Sequence, residues 1–143
     1  LTNDLSSSLD GTFKNEGEEI LEQSIEVLSF DDFLEQQPSM KKWLVKVDIE
    51  NAEPEFIKGA AKHIDRVEFL IIEFLEKARK AKLADLLTDQ FGLNAFYIND
   101  FTLEYMPKED GRYTPPEYNF LFCRQSPEAL SKLLKGTNFT VKG

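Results

Sequence analysis

The clearest pattern in the chain lies between residues 43 and 50. Leu44, Lys46, Asp48 and Glu50 alternate with Val45, Val47 and Ile49. A period of two predicts a strand over 43–49 with its valine face against a core. Residues 67–74 are apolar on both faces except for Glu68 and Glu73, as in an interior parallel strand covered on both sides. Between these two segments, Phe56, Ile57, Ala60 and Ile64 recur at helical spacing. A helix is predicted over 54–64, with Pro54 in the first turn, where its missing N–H is not needed. A second helix is predicted over 77–91, with Leu83, Leu86, Leu87 and Phe91 as its stripe and Gly92 as its terminator.

Weaker signals fill in the ends. Residues 24–28 alternate and read as a strand. Ser29 then caps a short helix through Phe33 and Leu34 that ends before Pro38, with Asp31 and Asp32 near its positive end. Residues 95–98 and 117–124 read as late strands joined by the polar stretch 106–116, and a last helix is expected over 127–134. Strand and helix alternate through the first three strands, which predicts an α/β fold. Its strands are parallel with right-handed crossover helices, and a final strand pair is antiparallel. The expected organisation is one domain or part of one over 1–143. A flexible segment covers 1–20, a core covers 24–124, and a helix and tail cover 125–143.

Composition changes this picture in three ways. The hydrophobic share is 41%, enough for a packed core. The net charge of -9 repels phosphate backbones and anionic lipid heads, so nucleic acid and membrane partners are not expected. No apolar run approaches the roughly 20 residues that cross a bilayer. The single cysteine, Cys123, sits inside Phe120-Leu121-Phe122 and reads as a small core residue. Together with the lack of a signal segment it fits a reducing, cytoplasmic setting. The chain begins at Leu1 without an initiator methionine and is read as a part of a longer protein.

Candidate chemistry gathers where the strands end. In open α/β sheets, ligands bind at the carboxyl ends of the strands. The strand over 43–49 ends in Asp48 and Glu50, with Glu53 at the following helix start, and the next strand ends in Glu73. Asp48 and Glu50 are expected on one face with Cα atoms about 6.6–7 Å apart. Carboxylates so placed accept a proton from a hydroxyl or help to hold a divalent cation. Lys46, on the same face, can neutralise one of them. Glu53 reads locally as a helix-start acid, whereas Asp48, inside an apolar strand, is expected to be buried and to need a partner. His63 is the only histidine, so a zinc set is not expected.

The segment Lys46-Val47-Asp48-Ile49-Glu50-Asn51-Ala52-Glu53, followed by Phe56-Ile57-Lys58-Gly59-Ala60, resembles the FkbM family of S-adenosylmethionine-dependent methyltransferases. That family carries a Lys-Ile-Asp-Val-Glu-Gly-Ala-Glu segment and a Leu-Lys-Gly-Ala-like helix. Phe30-Asp31-Asp32-Phe33-Leu34 looks like the family's upstream Leu-Asp-Asp-Leu-like element, and Leu70-Ile71-Ile72-Glu73-Phe74 like its next strand. The resemblance spans about residues 24–124. One departure is Asn51, which stands where the family has Gly; Asn tolerates the left-handed backbone best after Gly.

The resemblance implies the C-terminal part of a Rossmann-like methyltransferase sheet of order 3-2-1-4-5-7-6, with strands 4 to 7 present here. The Gly-rich cofactor half would be absent, and this chain alone would be inactive. It implies methyl transfer from S-adenosylmethionine to an oxygen of a small molecule or sugar. Asp48, Glu50 and Glu53 would be catalytic, and Glu73 and Asn51 would lie at the acceptor. Without strands 1 to 3, the strand over 44–49 becomes an open edge and is expected to self-associate or rest against a missing segment. Two other readings stand beside this one. One is a non-catalytic α/β interaction module derived from the same fold. The other is a cation-dependent hydrolase using Asp48 and Glu50, which lacks the further ligands such sites recruit.

Overall fold

The computed structural model describes residues 26–107 and 118–143. Alternating strands and helices build a single six-stranded sheet. In chain order the elements are α1 (Phe30–Glu35), β1 (Trp43–Val47), α2 (Glu53–Lys58), a 3-10 turn (Ile64–Arg66) and β2 (Val67–Phe74). There follow α3 (Glu76–Lys80), α4 (Leu83–Asp89), β3 (Asn94–Asn99), β4 (Thr102–Tyr105), β5 (Tyr118–Cys123), α5 (Pro127–Leu133) and β6 (Thr140–Lys142). The sheet order is β1-β2-β5-β3-β4-β6. β1 lies parallel to β2, and β5 is antiparallel to both β2 and β3. β1, β2 and β3 therefore share one direction, with β5 reversed between the last two. The run β1-β2-β5-β3 reproduces the expected order 4-5-7-6.

The two strands at the centre explain why one sheet carries two cores. Leu70, Ile72 and Phe74 of β2 and Phe120 and Phe122 of β5 join Ile57, Ala78, Leu83 and Leu87 from α2, α3 and α4 in one cluster. The alternate positions, Phe69 and Ile71 on β2 and Leu121 and Cys123 on β5, join Phe96 and Leu103 against Leu130 of α5. Helices thus cover both faces, as the two-sided apolarity of residues 67–74 requires. Cys123 is fully buried, and burial pushes its thiol above the usual range.

Several expectations change in the folded chain. The strand expected over 24–28 does not form at residues 26–28, which pair with nothing in the sheet; Ser24 and Ile25 lie outside the described residues. So do the segment 1–20 and most of the connection 106–116. The helix over 54–64 stops at Lys58, and the strand over 43–49 stops at Val47. The helix over 77–91 divides at Lys82, whose φ is 51°. A continuous helix would turn Leu83 about 140° away from Ala78. The left-handed residue re-aims α4, so that Ala78, Leu83 and Leu87 all reach the same core. Gly92 closes α4 with φ 64°, as the sequence predicts. β4 and β6 are additions. β4 follows β3 through the two-residue turn Asp100-Phe101, and β6 adds only three parallel pairings to β4.

α1 is held by long-range polar contacts. Ser29 Oγ accepts from Asp32 N–H at 3.1 Å, the expected cap. Asp31 then accepts from the backbone N–H groups of His63 (2.9 Å) and Lys62 (3.1 Å), while its own N–H donates to Gly59 O. At the other end, the Arg66 guanidinium donates to the carbonyls of Leu34 and Gln37. The Asp-Asp element therefore clamps the end of α2 to α1. Asp31→Ala is expected to cost about 1–3 kcal/mol by orphaning two N–H groups. Thermal melts should show a drop of about 4 °C or more, with a smaller one for Asp32→Ala.

Candidate functional site at the carboxyl edge of the sheet

The carboxyl ends of β1 and β2 lie side by side because the two strands are parallel. Their register pairs Lys46 with Ile71 and Val47 with Ile72. One step further sets Asp48 beside Glu73, on the sheet face that also carries Leu44, Lys46 and Ile71. Across β2, Glu73 pairs with Asn119 of β5. Asp48, Glu73 and Asn119 thus form a polar row over three adjacent strands.

Asp48 is not buried as expected: its side chain is 44% exposed and forms an ion pair with Lys46, 54% exposed. That hydrogen bond from Lys46 is the main reason its carboxyl is held below the usual range. Glu73 behaves in the opposite way. Burial, then the charge of Asp48 and a hydrogen bond to it, then the charges of Glu50 and Glu53, push its carboxyl upward. The two carboxyls are thereby pushed in opposite directions, and Glu73 is the first of them to take up a proton as pH falls.

Glu50 and Asn51 do not continue the strand, so Asp48 and Glu50 do not share a strand face. Both adopt left-handed backbone, φ 52° and 74°, in a turn closed by Ala52 N–H to Ile49 O at 3.3 Å. Two consecutive positive φ values are characteristic of a type I′ turn. Asn51 supplies the tolerance that the family's Gly has. Its Oδ1 also accepts from the Lys77 N–H at 3.2 Å, which ties the turn to the start of α3. No glycine can make that second contact.

Glu53 is the buried acid, fully enclosed at the first position of α2. Its Oε1 accepts from the Asn51 N–H at 3.2 Å, while Oε2 has no hydrogen-bond partner among the described residues. It holds the Asn51 N–H of the turn from a fully buried position. Asn119 was not foreseen. Its Oδ1 is buried with no partner among the described residues, and the signal was present: an amide immediately before the apolar run Phe120-Leu121-Phe122-Cys123. Among the described residues, no three His, Cys, Asp or Glu side chains are arranged to hold a metal ion. None of the helices formed by the described residues is long and apolar enough to cross a membrane. A cleft of about 310 Å³ lined by Thr88, Asn94 and Tyr105 lies at the opposite end of β3, away from the acids.

A mixed α/β sheet with strands 4-5-7-6 and acids at its carboxyl edge defines a protein of the Rossmann-like methyltransferase class. A model of the methyltransferase FkbM domain matches residues 2–113, and the chain belongs to that family. No curated protein matches the chain, and no solved structure does.

The acid pair has a measurable signature. A carboxyl raised in the folded state supports folding fully below its unfolded pKa and loses that support as pH rises through the folded value. Glu73→Gln removes the cost of ionising beside Asp48. Its melting temperature should exceed that of the unaltered chain near pH 7, with the gain shrinking towards about pH 4. A gain independent of pH would show that Glu73 does not share its proton with Asp48.

Proposed function

We propose that this chain is the acceptor-side, C-terminal portion of an S-adenosylmethionine-dependent methyltransferase that methylates an oxygen of a small molecule or sugar. The observation that carries this reading is the Asp48–Glu73 pair at the carboxyl edge. One carboxylate is kept ionised by Lys46, and the other is biased to hold a proton. An ionised Asp48 accepts the proton of an acceptor hydroxyl as its oxygen becomes the nucleophile. Glu73, beside it on the same face, and the Asn119 amide orient the acceptor for in-line attack. Glu53 and Asn51 hold the turn in place, and Glu50 stands at its half-buried corner.

S-adenosylmethionine would supply the methyl group in the complete enzyme. The described residues do not form a cradle for it. β1 has no sheet neighbour on its outer side among them, so a crevice there has one wall. That arrangement supports the reading that this portion is inactive alone. Calorimetric titration of the 143-residue chain with S-adenosylmethionine should show no micromolar binding. Micromolar binding would overturn the view that the cofactor half is separate.

In a longer protein carrying the Gly-rich half, Asp48→Asn should lower kcat by about 10²–10⁴-fold with little change in cofactor affinity. Unchanged turnover would remove Asp48 from the chemistry. The open edge of β1 also favours a second reading, a non-catalytic α/β interaction module. A natural sequence upstream of Leu1 without a strand and Gly-rich turn would support it over the enzyme.

A further inference from the structure

The α5 side of the sheet carries a row of side chains that continues beyond the acids. Glu73 pairs with Asn119, and one step past the Tyr97–Phe120 pairing sets Ile98 beside Asn119. Ile98 pairs with Leu103, and Leu103 with Val141. With Asp48 beside Glu73, the row is polar at β1, β2 and β5 and apolar at β3, β4 and β6. β4 begins where β3 ends, and β6 runs parallel to β4. The starts of β4 and β6 therefore lie on the same carboxyl edge as the acids.

Phe101 and Phe139 stand at that edge, two residues ahead of Leu103 and Val141, and continue their alternation. The two rings meet edge to face, 5.6 Å between centroids and 70° between planes. They are nevertheless 60% and 39% exposed and join neither core cluster of the described residues. Main-chain bonds hold them in place of burial. The Phe101 carbonyl accepts from the Thr140 N–H at 2.9 Å, and the Phe139 N–H donates to Thr137 Oγ1 at 3.1 Å. Asp100, with φ 49°, makes the tight turn ahead of Phe101. An exposed aromatic pair fixed in this way is a ready contact surface. Strands 1 to 3 of the family order would lie beyond β1, at the other end of the sheet, and do not reach it.

We propose that Phe101 and Phe139 form a distal subsite for a sugar ring of an extended glycan acceptor whose reacting hydroxyl lies at Asp48. This rests on the enzymatic reading above and narrows its acceptor to an oligosaccharide chain. At a strand spacing of about 4.8 Å, Phe101 lies about 14 Å and Phe139 about 19 Å from Glu73 across the sheet. One sugar cannot touch both ends. A pyranose ring has a C–H face that packs on an aromatic ring and a rim of hydroxyls. The surroundings suit both: Asn99 and Asp100 are exposed in the turn, and the hydroxyls of Thr102 and Thr140 lie 3.4 Å apart. An acyl chain has no use for that polar rim.

NMR titration of the 143-residue chain with maltohexaose, cellohexaose and chitohexaose tests this, each beside its monosaccharide at equal concentration. At least one hexasaccharide should shift the ring signals of Phe101 and Phe139 together with the Asn119 side-chain amide, while its monosaccharide leaves the rings unmoved. Phe101→Ala and Phe139→Ala should each weaken binding about tenfold and keep the melting profile. Leu133→Ala, at another exposed apolar position, should leave binding unchanged. Hexasaccharides that move neither ring would overturn the proposal, as would binding indifferent to loss of the rings. Rings shifted by dodecylphosphocholine micelles and by no sugar would overturn it by making them an apolar docking surface. None of these readouts involves methyl transfer. Unchanged turnover of Asp48→Asn in the longer protein would strike the role of the acids and leave the rings standing as a glycan-binding surface, so the two failures are distinguishable.

Discussion

The parallel pairing of β1 with β2 is the constraint on which the site depends. It is a register as well as a contact: Val47 lies against Ile72, and the next step brings Asp48 to Glu73. A slip of one residue would turn Val45 and Val47 away from α2 and point Asp48 into the main core. The apolar burial of Val47, Ile72 and Ile57 thus sets which carboxylates meet. Packing chooses the chemistry, because the same strand alternation that fills the core aims the acids at the opposite face.

Once those acids are adjacent, their environments separate them. Asp48 has a lysine two residues away on its own face, and Glu73 has a more buried position and three neighbouring negative charges. Two chemically similar side chains are thereby given different protonation preferences. Environments that push two neighbouring carboxyls apart in this way are a general means of giving them different acid–base character. The turn above them is costly, with two non-glycine residues in left-handed backbone. Glu53 from below and the Lys77 N–H from the side keep it in place.

The outer side of β1 follows from the same arrangement. Among the described residues β2 is the one strand beside β1, and the side chain of Leu44 is exposed.

Much was legible from local pattern. Periods of two and of 3.6 identified β1, β2, α2, β3, β5 and α5. The octet ending in Glu53 identified the family, and Asn51 announced its left-handed backbone. These features depend on residues near one another in the chain, and their physics is local. What the tertiary structure alone decided is non-local. Ala78 and Leu83 had to reach one core, so a single predicted helix broke at Lys82. Asp48, predicted to be buried, lies 44% exposed beyond the end of β1, and Glu53, which reads as an ordinary helix-start acid, is enclosed. Asn119 joined the site only through pairing across about 46 positions of sequence. Burial and cross-strand neighbours are properties of the packed sheet, and no window of sequence contains both partners.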